Sequence, residues 1–458
     1  MTFDLLTPLG IPSFRRFFVA RTIALVGSGL TTIALSLLAY DLVGGQAGIV
    51  LGSALALKML AYVGVAPAVG AFADRLPRRA FLVLLDVLRA GLVVGFAWVS
   101  DASDIYLLIF LLSACAAGFT PIYQAAVPDL LRDSAEYTKG LALSRVSYDL
   151  EGLVSPSLST MALLIVGYPA FFVLNGVAFL ASALLVGATP LPPAARSERP
   201  MSVAFNLTFG VRSFLATPRL RGLLAAFAAV AIAGAMVIVN TVVIVRDRFG
   251  GSEADVALAF AASGAGSLVA ALGMPTLLDR VSVRSGILAG AAVLPLSLVG
   301  AAIAGDLLGL MAAWFVAGVG MSLVQTPAGR VIEASCNPGD RSAYFAAHFA
   351  LSHAAWLIGY PLAGWVGAYM GLDVIFAVSV LLVLTAALVA LVAWPRNDPE
   401  ELWHVHEALE HSHVHGSDAH HDSEADVNEG SQPHPHRHEP TRHRHRFVID
   451  AHHPTWPK

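Results

Sequence analysis

Histidine, aspartate and glutamate are the side chains that hold divalent cations and carry protons, and this chain places them in two contrasting settings. Fourteen of its sixteen histidines lie near the C-terminus: His404, His406, His411, His413, His415, His420, His421, His434, His436, His438, His443, His445, His452 and His453. Imidazole is a good ligand for nickel, zinc, copper(II) and cobalt, and pairs and alternations of it read as a metal-binding tract. The remaining two, His348 and His353, fall inside long apolar runs, as do Asp149, Glu151 and Lys58. Ionisable groups at membrane depth are costly and mark ion pathways or proton relays.

Spacing limits what these groups can do together. Asp149 and Glu151 are two residues apart, about 200° around a helix, so one is expected to face a pathway and the other to pack against neighbours. His348 and His353 are five apart, about 140°, which makes a shared metal unfavourable; His353 is the deeper and is expected to face the pathway. Lys58 is expected to belong to the pathway, or else to be a structural ion pair or a snorkelling side chain. Asn240 and Gln325 could offer neutral oxygens to a cation, or hydrogen-bond between helices. A carboxylate or imidazole that takes either a proton or a metal couples the two by competition.

The elements that must position these groups are membrane spans. The chain is 56% hydrophobic and 13% charged, against about 25% charged in soluble domains. About 20 apolar residues cross a bilayer as a helix. Twelve such stretches occur, near 17–40, 47–73, 80–100, 105–127, 140–165, 168–190, 220–245, 254–277, 285–304, 307–329, 343–369 and 372–394. The segment after Arg15 and Arg16 shows no cleavage signal and reads as an uncleaved first helix. With the N-terminus inside, the expected cytoplasmic segments hold fifteen Lys and Arg and the external loops only Arg246 and Arg248. That bias orients the chain with both termini cytoplasmic, as a multi-pass protein of the inner membrane. Residues 396–458 carry 6 Lys/Arg and 12 Asp/Glu, a net of −6. This acidic, apolar-poor tail is expected to be disordered without metal. Its acids argue against nucleic acid. Cys115 and Cys336 suggest neither a disulfide framework nor a thiolate metal site.

Two halves recur. Asp74-Arg75 returns as Asp279-Arg280, Arg79 as Arg284 and Pro156 as Pro361, each 205 residues later. A proline- and arginine-containing break near 192–218 separates them. The expected organisation is a six-helix bundle over 1–191, a cytoplasmic loop over 192–218, a second bundle over 219–395 and the tail. Parallel repeats with the substrate near the midplane between them are one transporter plan.

Gly70-Ala71-Phe72-Ala73-Asp74-Arg75-Leu76-Pro77-Arg78-Arg79 resembles the loop 2–3 signature of the major facilitator superfamily, with Pro77 where the family has glycine. The resemblance implies an all-α membrane fold of twelve helices in two six-helix repeats. It also implies a gate, in which Asp74 pairs with Arg75, Arg78 or Arg79, or with Asp86 and Arg89 one helix on, and Asp279 and Arg280 form the counterpart. A narrower resemblance rests on Ser144-Arg145-Val146-Ser147-Tyr148-Asp149-Leu150-Glu151, on Gln325-Thr326-Pro327-Ala328-Gly329-Arg330, and on Phe349-Ala350-Leu351-Ser352-His353-Ala354-Ala355-Trp356 with Tyr360-Pro361-Leu362-Ala363-Gly364-Trp365. These are similar to the nickel-resistance subgroup, whose members export nickel and often end in a histidine-rich tail. That implies proton-coupled efflux of Ni²⁺, or of Co²⁺ or Fe²⁺, with the tail as a cytoplasmic metal buffer or sensor. The expected partners are the lipid bilayer, a divalent cation and protons. No cofactor is expected; Ni²⁺ or a related metal is substrate and tail ligand. The chain has no G-x-x-x-x-G-K-[ST] loop for ATP and no hydrolase or redox motif, so neither a primary pump nor an enzyme is expected. The alternatives are an exporter of drugs, siderophores or other organic molecules, and a membrane-bound metal sensor without flux.

Overall fold

The computed structural model describes residues 5–43, 47–163, 165–197, 202–398, 401–406, 409–413, 434–438, 441–449 and 456, with the backbone alone for 47–49, 152–163, 253 and 401–446. Of the tail histidines, His415, His420, His421, His452 and His453 lie outside the described residues. The chain divides into two compact units, one of residues 1–396 with 449–456, the other of 397–448 with 457–458.

The first unit is helical. Its first six long helices are α1 (Pro12–Val43), α2 (Ala47–Phe72), α3 (Arg78–Gly95), α4 (Ala102–Leu130), α5 (Ser134–Leu163) and α6 (Pro169–Gly187). A connector helix, Val203–Ala216, follows. Then come α7 (Pro218–Ala235), α8 (Glu253–Leu278), α9 (Val283–Ile303), α10 (Leu307–Gln325), α11 (Arg341–Pro361) and α12 (Leu372–Ala393). Two of these run on: α7 through π turns at Met236–Asn240 and Ile244–Arg248, and α11 through a π turn at Leu362–Val366 to Met370. A further turn, Ala328–Glu333, follows α10. Several starts are capped by side chains that satisfy the first free N–H groups. Asp101 caps α4, Ser252 and Asp255 form a capping box on α8, and Asp306 caps α10.

Among the described residues, ten helices are long and apolar enough to cross a membrane. The other two long helices, α5 and α11, carry Asp149, Glu151, His348 and His353. Helix α5 packs on α8, and α11 packs on α2. Helix α5 starts at Ser134, six residues before the expected span, so Asp149 lies about 22 Å from its start, near the middle of the helix.

Each half has its own apolar core. In the second half the core gathers Leu220, Leu294, Trp314 and Phe376; Trp314 is fully buried, and its indole N–H donates to Thr241 Oγ1 at 2.9 Å. In the first half one cluster gathers Phe14, Phe17 and Phe119, another Phe96, Phe171 and Phe172. A fourth cluster bridges the halves: Ala66 of α2 and Ala117 of α4 against Ala346, Phe349 and Ala350 of α11.

Close backbone approach is concentrated between α8 and α10. A methyl group on Gly318 would overlap the Ser263 carbonyl, and one on Gly266 the Phe315 carbonyl. Backbone cannot yield as a flexible side chain can, and overpacking typically costs about 1–3 kcal/mol. Gly318→Ala is therefore expected to lower the melting temperature in detergent, while Gly52→Ala, which meets open space, leaves it unchanged. Of the glycines at helix-packing spacing whose surroundings are described (Gly52, Gly91, Gly95, Gly286 and Gly290), only Gly290 meets another backbone, at the Gly320 carbonyl.

The second unit is described only in part. It holds four short strands, β1 (Glu401–His406), β2 (Leu409–His413), β3 (His434–His438) and β4 (Thr441–Arg446), in two antiparallel ladders, β1 with β4 and β2 with β3. Alternation with a period of two suits a strand, and Leu402, Trp403 and Val405 favour one. The register sets His404 opposite His443, His411 opposite His436, and His413 opposite His434.

Candidate functional site

The neighbouring carboxylates of α5 are held differently. Asp149 is 8% exposed and fully partnered. Arg145, one turn earlier, reaches it at 2.9 Å, and Ser267 Oγ of α8 donates to it at 2.9–3.0 Å. The same guanidinium donates through Nε to Ser267 at 3.0 Å and through Nη1 to the side-chain oxygen of Gln325 on α10. Asp149, Arg145, Ser267 and Gln325 thus form one network across the two halves. A buried ion pair needs such extra hydrogen bonds to offset its desolvation.

Glu151 is half-buried and has no hydrogen bond or ion pair within 4 Å among the described residues. The cations acting on it are Lys58 of α2 and Arg21 of α1. Arg21 is steadied by Tyr148, whose hydroxyl accepts from Nη2 at 2.8 Å, and lies 5.4 Å from the centre of that ring. Tyr148 itself is 37% exposed. Lys58 Nζ lies 5.7 Å from the centre of the Tyr62 ring, one turn further along α2. Tyr62 meets the edge of the His353 ring at 4.8 Å and the Phe349 ring at 4.9 Å. Helices α1, α2, α5 and α11 thereby bring Arg21, Lys58, Tyr62, Tyr148, Glu151 and His353 to one region between the halves.

His353 has a defined tautomer. Its Nδ1 lies 2.7 Å from the Phe349 carbonyl oxygen, which can only accept, so Nδ1 carries the proton and Nε2 keeps its lone pair. That leaves Nε2 as the nitrogen able to bind a metal or a proton. His348 is placed elsewhere, 8% exposed between Phe227 of α7 at 4.4 Å and Phe214 of the connector helix at 5.9 Å. Its surroundings are those of a packed core residue. Asn240 is likewise buried. Its Nδ2 donates to the Ala363 carbonyl at 3.2 Å, joining the π turns of α7 and α11.

At the loop 2–3 end the halves are held by charge. Asp129, the penultimate residue of α4, accepts from Arg78 at 2.6 Å and from Arg341 at the start of α11. Arg341 also reaches Glu333 at 3.1 Å, and Arg330 donates to Thr138 of α5 at 3.0 Å. Asp74 is half-buried in the short turn after α2, Arg75 lies over the Phe72 ring, and Arg79 is exposed. Asp86 and Arg89 do not meet that loop: they bond each other inside the first half, with Ser182 on the carboxylate and Phe119 and Phe179 on either side of the guanidinium. Asp279 and Arg280 are exposed.

Asp129, Arg341, Glu333, Ser267, Tyr62 and Tyr148 were not singled out from the sequence. One signal was present: Asp129 and Glu333, near the ends of equivalent helices, are 204 residues apart, beside the 205-residue repeat. Pairing across helices has no such trace.

The chain matches the Major Facilitator Superfamily model over residues 17–243 and 223–416. None of the curated proteins matches its sequence. Its fold is similar to that of the human organic anion transporter MFSD10 (TETRAN), at 16% identity and a TM-score of 0.70, covering 83% of this chain and 99% of that one. A bacterial homologue of the iron transporter ferroportin, in an outward-facing state, has 14% identity and a TM-score of 0.69, covering 83% and 99%. The transporter FucP, in its outward conformation, has 16% identity and a TM-score of 0.64, covering 83% and 98%. The family model spans most of the sequence, and the helices repeat the family's fold. This chain belongs to the major facilitator superfamily and is a multi-pass membrane transporter, not an enzyme.

Proposed function

We propose that this transporter exports a divalent metal, Ni²⁺ foremost, in exchange for protons by alternating access. The observation that carries this reading is the contrast between the two carboxylates. Asp149 is tied into a bridge between the halves, whereas Glu151 is free to bind and lies in the same region as the open Nε2 of His353. A carboxylate and an imidazole suit both a borderline metal and a proton. The histidine-rich tail supports the choice of metal. In the ladders His404, His411 and His413 stand opposite His443, His436 and His434, and directly opposed positions are close neighbours. The tail acts as a buffer that gathers metal on the side from which it is exported.

The excess of Lys and Arg on the loop 2–3 side supports a cytoplasmic position for that end. The bonds of Asp129 with Arg78 and Arg341 support reading this end as the closed one. The cycle follows: protons bind Glu151 and His353 from outside, the halves rock, Asp129 lets go of Arg341, and metal entering from the cytoplasm displaces the protons. A second reading, export of a small organic anion, is favoured by the cations Arg21 and Lys58 beside Glu151.

Radionickel flux tests the reading. Inverted vesicles carrying the full chain should take up nickel against its gradient when an acidic lumen is imposed, and stop when an uncoupler collapses it. Nickel uptake that is equal with and without the pH gradient would remove proton exchange, and a cell-resistance profile limited to organic compounds would favour the second reading. Deleting residues 404–446, which removes twelve of the tail histidines and keeps the 449–456 segment of the first unit, should lower uptake at scarce nickel and spare it at saturating nickel.

A further inference from the structure

The charge balance between the halves has a consequence for the form in which metal travels. Two pairs of ionisable side chains at membrane depth are neutralised internally, Asp86 with Arg89 and Asp149 with Arg145. The part of α5 whose side chains are not described, 152–163, contains no ionisable residue. What remains is Arg21, Lys58 and Glu151, with His348 packed away and His353 beside Tyr62. With neutral imidazoles this is one negative charge against two positive ones. A bare divalent cation placed there meets the repulsion of Arg21 and Lys58. Glu151 and His353 together also leave most positions of a six-coordinate metal unfilled.

The polar groups are of two kinds. Glu151 and His353 Nε2 offer electron pairs. Arg21, Lys58 and the phenols of Tyr62 and Tyr148 offer protons, Arg21 through a guanidinium suited to carboxylate. An array with both kinds fits a ligand that itself has both: a metal with open positions and a carboxylate shell.

Resting on the proposed metal export, we propose that the substrate is an anionic metal chelate, a divalent cation carried by a small polycarboxylate, with Arg21 and Lys58 holding the carboxylates and Glu151 and His353 facing the metal. A one-to-one complex of a divalent cation with a tricarboxylate has a charge of −1, which cancels the surplus of the site.

Citrate serves as the probe. Inverted vesicles carrying the full chain receive radionickel at fixed total concentration, with or without citrate in excess, and labelled citrate is followed in parallel. Citrate lowers free Ni²⁺, yet uptake is expected to rise at least about tenfold, equivalent to roughly 1.4 kcal/mol of preference for the chelate. Nickel and citrate should enter in equal amounts. Lys58→Met and Arg21→Met should each lose the citrate-dependent part, and Lys58→Arg should retain it. The wild-type citrate response decides the matter even where a variant does not fold. Uptake that falls in proportion to free Ni²⁺ overturns the inference and leaves metal export standing. Citrate entering equally well without metal overturns it in favour of an organic-anion carrier. Nickel entering in neither form removes the proposed metal export itself, and the chelate with it.

Discussion

Glu151→Gln is expected to lower proton-driven nickel uptake by roughly 10- to 100-fold and to flatten its dependence on the imposed pH gradient. The amide keeps the size and one oxygen of the carboxylate, loses its charge, and cannot take up a proton in the same range. A hydrogen bond or ligand contact to a charged group is worth about 1.5–3 kcal/mol, and each 1.4 kcal/mol is a factor of ten. Glu151 has no bonded partner among the described residues, so the substitution breaks no hydrogen bond, although it removes the negative charge facing Arg21 and Lys58; melting temperature is therefore read beside flux. Asp149→Asn gives the opposite signature. It leaves Arg145 beside Ser267 and Gln325 without its carboxylate, and the loss of one partner from a buried pair typically costs about 3–5 kcal/mol. Its defect should therefore appear as lower thermal stability and altered opening, with residual flux still dependent on pH. Both quantities are read from one preparation: flux in inverted vesicles at several lumen pH values, and melting temperature in detergent. Equal loss of pH dependence in the two variants would refute the separate roles assigned to the two carboxylates.

Asp129→Asn is expected to open the loop 2–3 end. Asp129 receives guanidinium groups from both halves, Arg78 and Arg341, whose side chains are 3% and 12% exposed. The amide can accept from one of them and offers no charge to either. Losing even one charge-assisted contact, about 1.5–3 kcal/mol, moves a two-state equilibrium by roughly 10- to 100-fold. Ala66, fully buried in the cluster that joins α2, α4 and α11, supplies the reporter. In a Cys115→Ser, Cys336→Ser background, Ala66→Cys should react slowly with an impermeant maleimide added from the loop 2–3 side. Adding Asp129→Asn should speed labelling by a similar factor. An unchanged rate would mean that Asp129 does not hold this end shut. Arg79→Ala is the control, because Arg79 is exposed.

The two expectations differ in how far the sequence carried them. Type and depth marked Asp149, Glu151 and His353, because a charge in an apolar run is conspicuous whatever its partners. Helical geometry also separated Asp149 from Glu151, since two residues on a helix span about 200°. It could not say which was bound, because that depends on Ser267 and Gln325, more than a hundred residues away. The gate shows the same limit. Arg78 was legible from the loop motif, yet Asp86 and Arg89, equally plausible by type, bond each other inside the first half, and Asp129 takes their place. Likewise His348 and His353 are alike in sequence and unlike in setting, one between Phe214 and Phe227, the other against Tyr62.

What the sequence alone determined is what depends on local composition and period: the long apolar spans, the duplicated halves, the all-helical membrane fold and the family. Lipid imposes the spans and their helicity directly, because every backbone polar group in the bilayer must be satisfied within its own helix and length then follows from thickness; the halves and the family are legible because their motifs are contiguous in sequence. What only the tertiary structure decided is which ionisable groups neutralise one another. Attraction between charges falls with distance in space and ignores distance along the chain. The packing of α5 on α8 and of α2 on α11 therefore tied Asp149 into the bridge and left Glu151 facing Lys58 and Arg21.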